Sequence, residues 1–286
     1  MQAAASTPRP AAHAVQKGLS PHARIRNVIA VGSGKGGVGK STTAVNLAVA
    51  LQQLGARVGV LDADIYGPSV PAMLALSGRP ESPDNKSIEP LRALGVEAMS
   101  IGFLIDADSP MIWRGPMATS ALTQLFNDTL WGDLDYLLID LPPGTGDIQL
   151  TLSQKIPVAG AVIVTTPQDI ATLDARKALK MFEKVEVPVL GIIENMAVHT
   201  CSHCGHHEHL FGEGGGERMA AQYGVPLLGS LPLDIGIREQ GDAGTPVTAA
   251  APTSAAAQAY IAAAKRLVEE LGKRPRASIP ILSSLV

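Results

Sequence analysis

Gly34-Lys35-Gly36-Gly37-Val38-Gly39-Lys40-Ser41 lies between an apolar run, Val28-Ile29-Ala30-Val31, and the segment Thr42-Thr43-Ala44-Val45-Asn46-Leu47-Ala48-Val49-Ala50-Leu51. The first flank has the composition of a buried strand and the second that of a helix, so the order is strand, glycine loop, helix. Gly34, Gly39, Lys40 and Ser41 complete the pattern G-x-x-x-x-G-K-[ST] of a phosphate-binding loop. The chemistry follows from the residue types. Glycines let the backbone curl so that successive N–H groups point inward, and the helix N-terminus adds its partial positive charge. Lys40 is expected on the terminal phosphates and the Ser41 hydroxyl on Mg2+. With Gly36, Gly37, Val38 and Thr42, these residues form the expected cradle for ATP.

A second lysine, Lys35, directly follows Gly34. One subunit does not need it to hold phosphate, and a solvated loop lysine is the plain alternative. The pattern K-G-G-x-G-K-[ST] resembles the deviant Walker A loop of dimeric ATPases in the MinD, ParA and nitrogenase iron-protein group. That resemblance implies a lysine that crosses a dimer interface to the partner's nucleotide.

Downstream, acids recur at the ends of apolar runs. Arg57-Val58-Gly59-Val60-Leu61 ends in Asp62-Ala63-Asp64, and Asp135-Tyr136-Leu137-Leu138-Ile139 ends in Asp140. Carboxylates at the carboxyl ends of strands lie where open α/β sheets bind ligands. Of Asp62 and Asp64, one is expected to hold the metal's water shell and the other to orient the attacking water; capping the next helix is the alternative. Asp140 has the Walker B form and is expected near Ser41 and Mg2+. The Pro- and Gly-rich Leu141-Pro142-Pro143-Gly144-Thr145-Gly146-Asp147 has the composition of a loop that senses the γ-phosphate. Strands are also expected over 161–166, 187–193 and 226–231, with helices over 117–130, 170–185 and 254–271. Asn195, just past one of these strands, is a candidate reader of the adenine edge, or a turn residue. Arg114 fits either a phosphate contact or an ion pair. Strands alternating with helices predict a three-layer, doubly wound, mostly parallel α/β sheet, and the resemblance to the deviant Walker A loop implies a P-loop NTPase of the SIMIBI class.

The chain has 286 residues, 46% hydrophobic and 17% charged, which suffices for one large domain whose core is aliphatic, since aromatics make up only 3%. A net charge of −3 gives no electrostatic case for nucleic acid, and no apolar run reaches the length of a membrane span. The domain is expected over 27–272, with a disordered leader at 1–26 and a tail at 273–286. The leader is basic and free of acids, so a transit peptide is a second reading of it. A cytoplasmic location follows, with the mitochondrial matrix as the alternative. The tail carries a basic cluster, Lys273-Arg274-Pro275-Arg276, then Ile279, Ile281 and Leu282. Pro275 and Pro280 argue against one continuous membrane-binding helix there.

The two cysteines, Cys201 and Cys204, fall in a loop at 199–216 that also holds His199, His203, His206, His207 and His209. Four readings fit them: a thiol–disulfide pair, a zinc site with nearby histidines, two ordinary loop cysteines, or half of a shared iron–sulfur cluster. A [4Fe–4S] cluster is normally held by four thiolates. The chain has two, and a two-fold dimer supplies the other two.

Taken in order, Ser33 to Ser41, Asp62 to Ser69, Trp113-Arg114-Gly115-Pro116-Met117, Asp140 to Asp147, and Glu194-Asn195-Met196 with Cys201-x-x-Cys204 resemble the Mrp/ApbC family of iron–sulfur cluster carrier ATPases. The resemblance runs from about Arg26 to Thr245. It implies a homodimer that binds ATP, assembles a cluster on Cys201 and Cys204, receives it from an upstream scaffold and passes it to apo-proteins. It also implies Lys35, Lys40 and Asp64 as catalytic residues, with Asp64 positioning water and Asn195 reading adenine. The extra N-terminal domain that the family's bacterial members often carry is not expected within about 26 residues, and the N-terminal four-cysteine site of its eukaryotic cytosolic branch has no counterpart among the two cysteines. A positioning ATPase of the ParA or MinD kind, and a zinc-binding interaction module, are the alternatives from other classes.

Overall fold

The structure is a computed structural model and describes residues 9–104, 115–201 and 203–277. Arg114, and with it the choice between phosphate contact and ion pair, lies outside the described residues. Along the chain run β1 (Ile25–Gly32), α1 (Lys40–Gln53), β2 (Val58–Asp62), α2 (Val70–Met73), β3 (Leu91–Ala93), β4 (Val96–Ser100), α3 (Gly115–Asp128) and β5 (Leu134–Asp140). Then come α4 (Asp147–Lys155), β6 (Gly160–Thr165), α5 (Asp169–Lys184), β7 (Val189–Glu194), β8 (His199–Thr200) and β9 (His207–Glu208). The chain continues through α6 (Gly215–Tyr223), β10 (Leu227–Ser230), α7 (Ile235–Asp242), α8 (Val247–Ala250) and α9 (Ala255–Gly272).

Eight strands form one sheet in the order β10-β7-β6-β1-β5-β2-β4-β3, and only β3 runs antiparallel, to β4. Strands buried on both faces need no polar alternation, and β1 and β5 accordingly read as continuous apolar runs. Successive side chains feed opposite cores. Val28 and Ala30 pack on the side of α3 to α6, whereas Ile29 and Val31 pack on the side of α1 and α9. This is the three-layer, mostly parallel sheet expected from the sequence.

Chain order reverses about β1: β5 and β2 lie to one side, β6, β7 and β10 to the other. A crevice opens past the carboxyl end of the strand at such a switch point, and the phosphate loop follows β1 directly. The parallel register sets Asp62 opposite Asp140 on the neighbouring strands, so both acids reach that edge together.

Three details differ from the sequence reading. From Arg9 onward the expected leader is laid along the sheet's opposite edge. His13 and Gln16 are buried; the His13 ring bonds Asn27 at 2.8 Å, and Gln16 Nε2 donates to the Ser153 carbonyl at 2.6 Å while its Oε1 accepts from Val158 N–H at 2.9 Å. A few amide and imidazole groups fix this segment where composition suggested none would. The hairpin β3–β4, which supplies the antiparallel edge strand, is not among the strands placed from the sequence above. Element ends shift by one or two residues, as they do wherever a terminal turn frays.

Candidate functional site

Gly37 and Gly39 both adopt φ of +79°, the left-handed turn that curls the loop over the start of α1. Gly34 is required for a different reason: a methyl group there would overlap the backbone of Asp174 in α5. A methyl at Gly39 would overlap the Asn195 amide. The loop is thus pinned between α5 and the end of β7.

Lys35, Lys40, Ser41, Thr42 and Asp64 line one cavity of about 230 Å3 over the loop, which brings the three expected catalytic residues together. Lys40 is buried and its Nζ lies 2.5 Å from Asp140 Oδ1 and 3.3 Å from Ser41 Oγ. Asp140 is fully buried; burial pushes its pKa up, and the Lys40 ammonium opposes that rise. Asp62 accepts from the N–H groups of Asp64 and Val70, each at 3.1 Å, and from Ser100 Oγ at 3.3 Å. Burial first, then the adjacent Asp140 carboxylate, push Asp62 up to about 7. The pocket floor therefore holds two carboxylates and one cation. Asp140 Oδ2 is buried without a partner. An orphaned carboxylate oxygen beside a serine hydroxyl is the donor set of a hard divalent cation, so Ser41 and Asp140 fit Mg2+.

The Asp64 carboxylate accepts from Gly67 N–H at 3.3 Å and lines the cavity. Lys35 is half-buried, and among the described residues no carboxylate of its own chain pairs with its ammonium. Pro142 to Asp147 closes one side of the site. Gln149, which sequence reasoning missed, holds that loop: its Nε2 donates to the carbonyls of Pro142 at 3.1 Å and Pro143 at 2.6 Å.

Asn195 is buried, and its Nδ2 donates to the Val38 carbonyl at 2.9 Å. It also borders a second cavity of about 440 Å3 next to Thr42, whose far wall is Leu233, Ile237 and Arg238. That wall was not anticipated. The only sequence signal for it was its position after β10, at the same sheet edge.

Past Asn195 the chain builds the cysteine hairpin. Met196 takes φ of +57°, and Ala197 N–H then bonds the Leu231 carbonyl at 2.9 Å. β8 and β9 pair antiparallel around a tight turn in which Cys201 N–H bonds the His206 carbonyl and Gly205 N–H bonds the Cys201 carbonyl, both at 2.9 Å. Gly205 at φ +73° permits that turn. Hydrogen bonding from the backbone of Cys204 and His203, and from the Cys204 side chain, holds the Cys201 thiol below the usual thiol range. Both cysteines are free, Cys201 half-buried and Cys204 exposed. Three of the neighbouring histidines have other partners: His199 Nδ1 meets the Leu233 carbonyl at 3.1 Å, His209 Nδ1 the Ala197 carbonyl at 2.8 Å, and His207 Nδ1 the Thr200 hydroxyl at 3.0 Å. Among the described residues no three His, Cys, Asp or Glu side chains converge as a metal site, and no helix is long and apolar enough to cross a membrane.

Residues 24–268 match the family model described as ParA, NUBPL iron-transfer P-loop NTPase. An iron–sulfur cluster carrier protein of Haemophilus influenzae is 63% identical over 86% of this chain and 67% of its own length. The mouse iron–sulfur cluster transfer protein NUBPL is 50% identical over 88% of this chain and 79% of its own. A nucleotide-binding protein of Archaeoglobus fulgidus, solved in complex with ADP, superposes with a TM-score of 0.68 at 42% identity, covering 77% of this chain and 87% of that one. Strand order, loop and family match agree, and the chain belongs to the NUBPL iron-transfer P-loop NTPases of the ParA group.

Proposed function

We propose that the protein is an ATP-hydrolysing iron–sulfur cluster carrier that holds its cluster between two copies of the chain and hands it to apo-proteins. One observation carries this reading: two free thiols sit at a hairpin tip on the same sheet edge as a complete phosphate loop, with no third metal-ligating side chain beside them among the described residues. Two thiolates leave half of a cluster's positions unfilled, and a two-fold axis at the tip would supply the rest. The names of the relatives support the same cargo.

The second copy has other support. Tyr66, Met117, Ile170, Leu173, Leu210 and Ile235 remain exposed, and each belongs to a segment that follows the carboxyl end of a strand. Exposed large apolar side chains in these segments support an interaction site. Lys35 likewise follows the carboxyl end of a strand and reaches a partner's nucleotide in this reading.

On nucleotide binding, the phosphates replace Asp140 as partner of Lys40. Asp140, released from Lys40, and Ser41 would hold Mg2+, which would supply positive charge to the phosphates. Asp64 orients the attacking water and Thr42 borders the base-side cavity. The Cys201 and Cys204 thiolates bind the cluster as cargo, received from a scaffold; the cluster is [4Fe–4S] if each chain contributes two ligands. The test is anaerobic reconstitution with iron and sulfide followed by incubation with an apo-enzyme. Recovery of the apo-enzyme's activity that depends on Cys201 and Cys204 is the expected result; recovery unaffected by their removal would contradict the proposal.

A further inference from the structure

A groove of about 840 Å3 lies at the end of the sheet opposite the phosphate loop. Leu51 and Leu54 at the end of α1 and Val268 in α9 give it an apolar lining, and Tyr136 in β5 adds a ring. Leu54 is 39% exposed there, a large apolar side chain left open. Charged groups stand around this lining: Arg9, Arg57 and Lys265 bring three cations, Asp135 and Glu269 two carboxylates. None of these residues takes part in the nucleotide or cysteine chemistry.

The charges do not cancel. The Asp135 carboxylate is fully engaged: it accepts from Arg9 Nε at 3.0 Å, from Arg57 Nη2 at 3.0 Å and Nε at 3.2 Å, and from the Arg57 backbone N–H at 3.0 Å. Two guanidiniums thus share one carboxylate. Lys265 and Glu269, a turn apart on α9, are exposed and make no ion pair among the described residues. The groove is left with one positive charge in excess.

A donor is also left over. Tyr136 is only 4% exposed, and its hydroxyl has no hydrogen-bond partner among the described residues. Burial first, then the neighbouring Asp135 carboxylate, push its pKa up to about 12, so it stays protonated. Buried polar groups find partners as a rule, and one left alone in the wall of a groove invites an acceptor from outside.

A ligand that answers all three features has an apolar body, an oxygen that accepts from a hydroxyl, and a single negative charge. A phosphate monoester carries nearly two charges at neutral pH and matches the surplus less well than a carboxylate. The volume lies within the range of small-molecule sites, about 300–1,000 Å3. We propose that the groove binds a soluble alkyl monocarboxylate, its carboxylate accepting from the Tyr136 hydroxyl in the field of Arg9, Arg57 and Lys265, and its chain lying on Leu51, Leu54 and Val268. Such a ligand joins the end of α1 to α9 at the edge away from the reactive face.

Titration calorimetry of the full chain tests the site with octanoate, its uncharged analogue octanol, and octyl phosphate. Octanoate should saturate one site per chain and bind at least about tenfold more tightly than octanol, the usual worth of a hydrogen bond to a charged group. Tyr136→Phe should weaken octanoate by a similar factor. Because the hydroxyl has no partner in the empty groove, that variant should keep the wild-type melting temperature without ligand and lose the rise that octanoate gives the wild type. Lys265→Met should weaken octanoate several-fold and leave octanol unchanged. ATP turnover should stay at the wild-type rate in both variants. No saturable binding at about 1 mM octanoate would overturn the proposal, as would octanol binding as tightly as octanoate or Tyr136→Phe protein binding octanoate like wild type. Octyl phosphate binding more tightly than octanoate would assign the groove to a phosphate head and overturn it too.

Discussion

Asn195 Nδ2 donates a 2.9 Å hydrogen bond to the Val38 carbonyl, from a strand end six residues before Cys201. One side chain thus touches the nucleotide loop while its own backbone leads into the cysteine hairpin. Asn195→Ala leaves the Val38 carbonyl without its partner and opens space beside Gly39. An unsatisfied buried acceptor costs about 1–3 kcal/mol, so nucleotide affinity should fall by about tenfold or more, as titration calorimetry would read. The hairpin keeps its own bonds, so reconstituted iron content should be unchanged. Unaltered affinity would remove Asn195 from the nucleotide site.

Lys40 is the one cation on a floor with two buried carboxylates. Lys40→Ala should abolish ATP turnover. It should also destabilise the nucleotide-free protein by about 3–5 kcal/mol, the usual cost of leaving a buried charge alone. Adding Asp140→Asn should recover much of that stability and none of the turnover. Urea unfolding of the three variants separates the two effects; equal stability of the single and double variants would contradict the charge balance described here.

Lys35→Ala is expected to lower kcat more than affinity, because the Lys35 ammonium pairs with no carboxylate of its own chain among the described residues. Turnover equal to the wild-type value would end the case for a lysine acting across a dimer.

Asp62 gives a pH signature. Its pKa is raised to about 7 in the folded chain, above the ordinary carboxylate value of about 4. Between those values the folded state binds the extra proton, so this group's contribution to stability falls as pH rises from about 4 to about 7. Asp62→Asn removes the fall. In magnesium- and nucleotide-free buffer, the stability of the variant relative to wild type should therefore improve steadily across that window. A constant difference would show that Asp62 titrates normally.

What could be read in advance was local. The glycine loop, the acids closing β2 and β5, and the two cysteines each declare themselves within a few residues, because turn geometry and strand burial are short-range constraints. Gln149 stapling the loop at Pro142, and Leu233, Ile237 and Arg238 walling the second cavity, depend on segments brought together only by the sheet. Gln16 and His13 illustrate the same limit. Their bonds to Ser153, Val158 and Asn27 tie a segment of disordered-looking composition to the sheet, and nothing in that composition encodes the partners.

The account rests on two chains completing one cluster. Native mass spectrometry of anaerobically reconstituted protein, with iron and sulfide assayed on the same sample, tests this most directly. It should find a dimer carrying a single cluster, about two irons per chain if the cluster is [4Fe–4S], and none in Cys201→Ala protein that still binds nucleotide. A lone protomer carrying a full cluster, or a Cys201→Ala dimer that retains one, would contradict it.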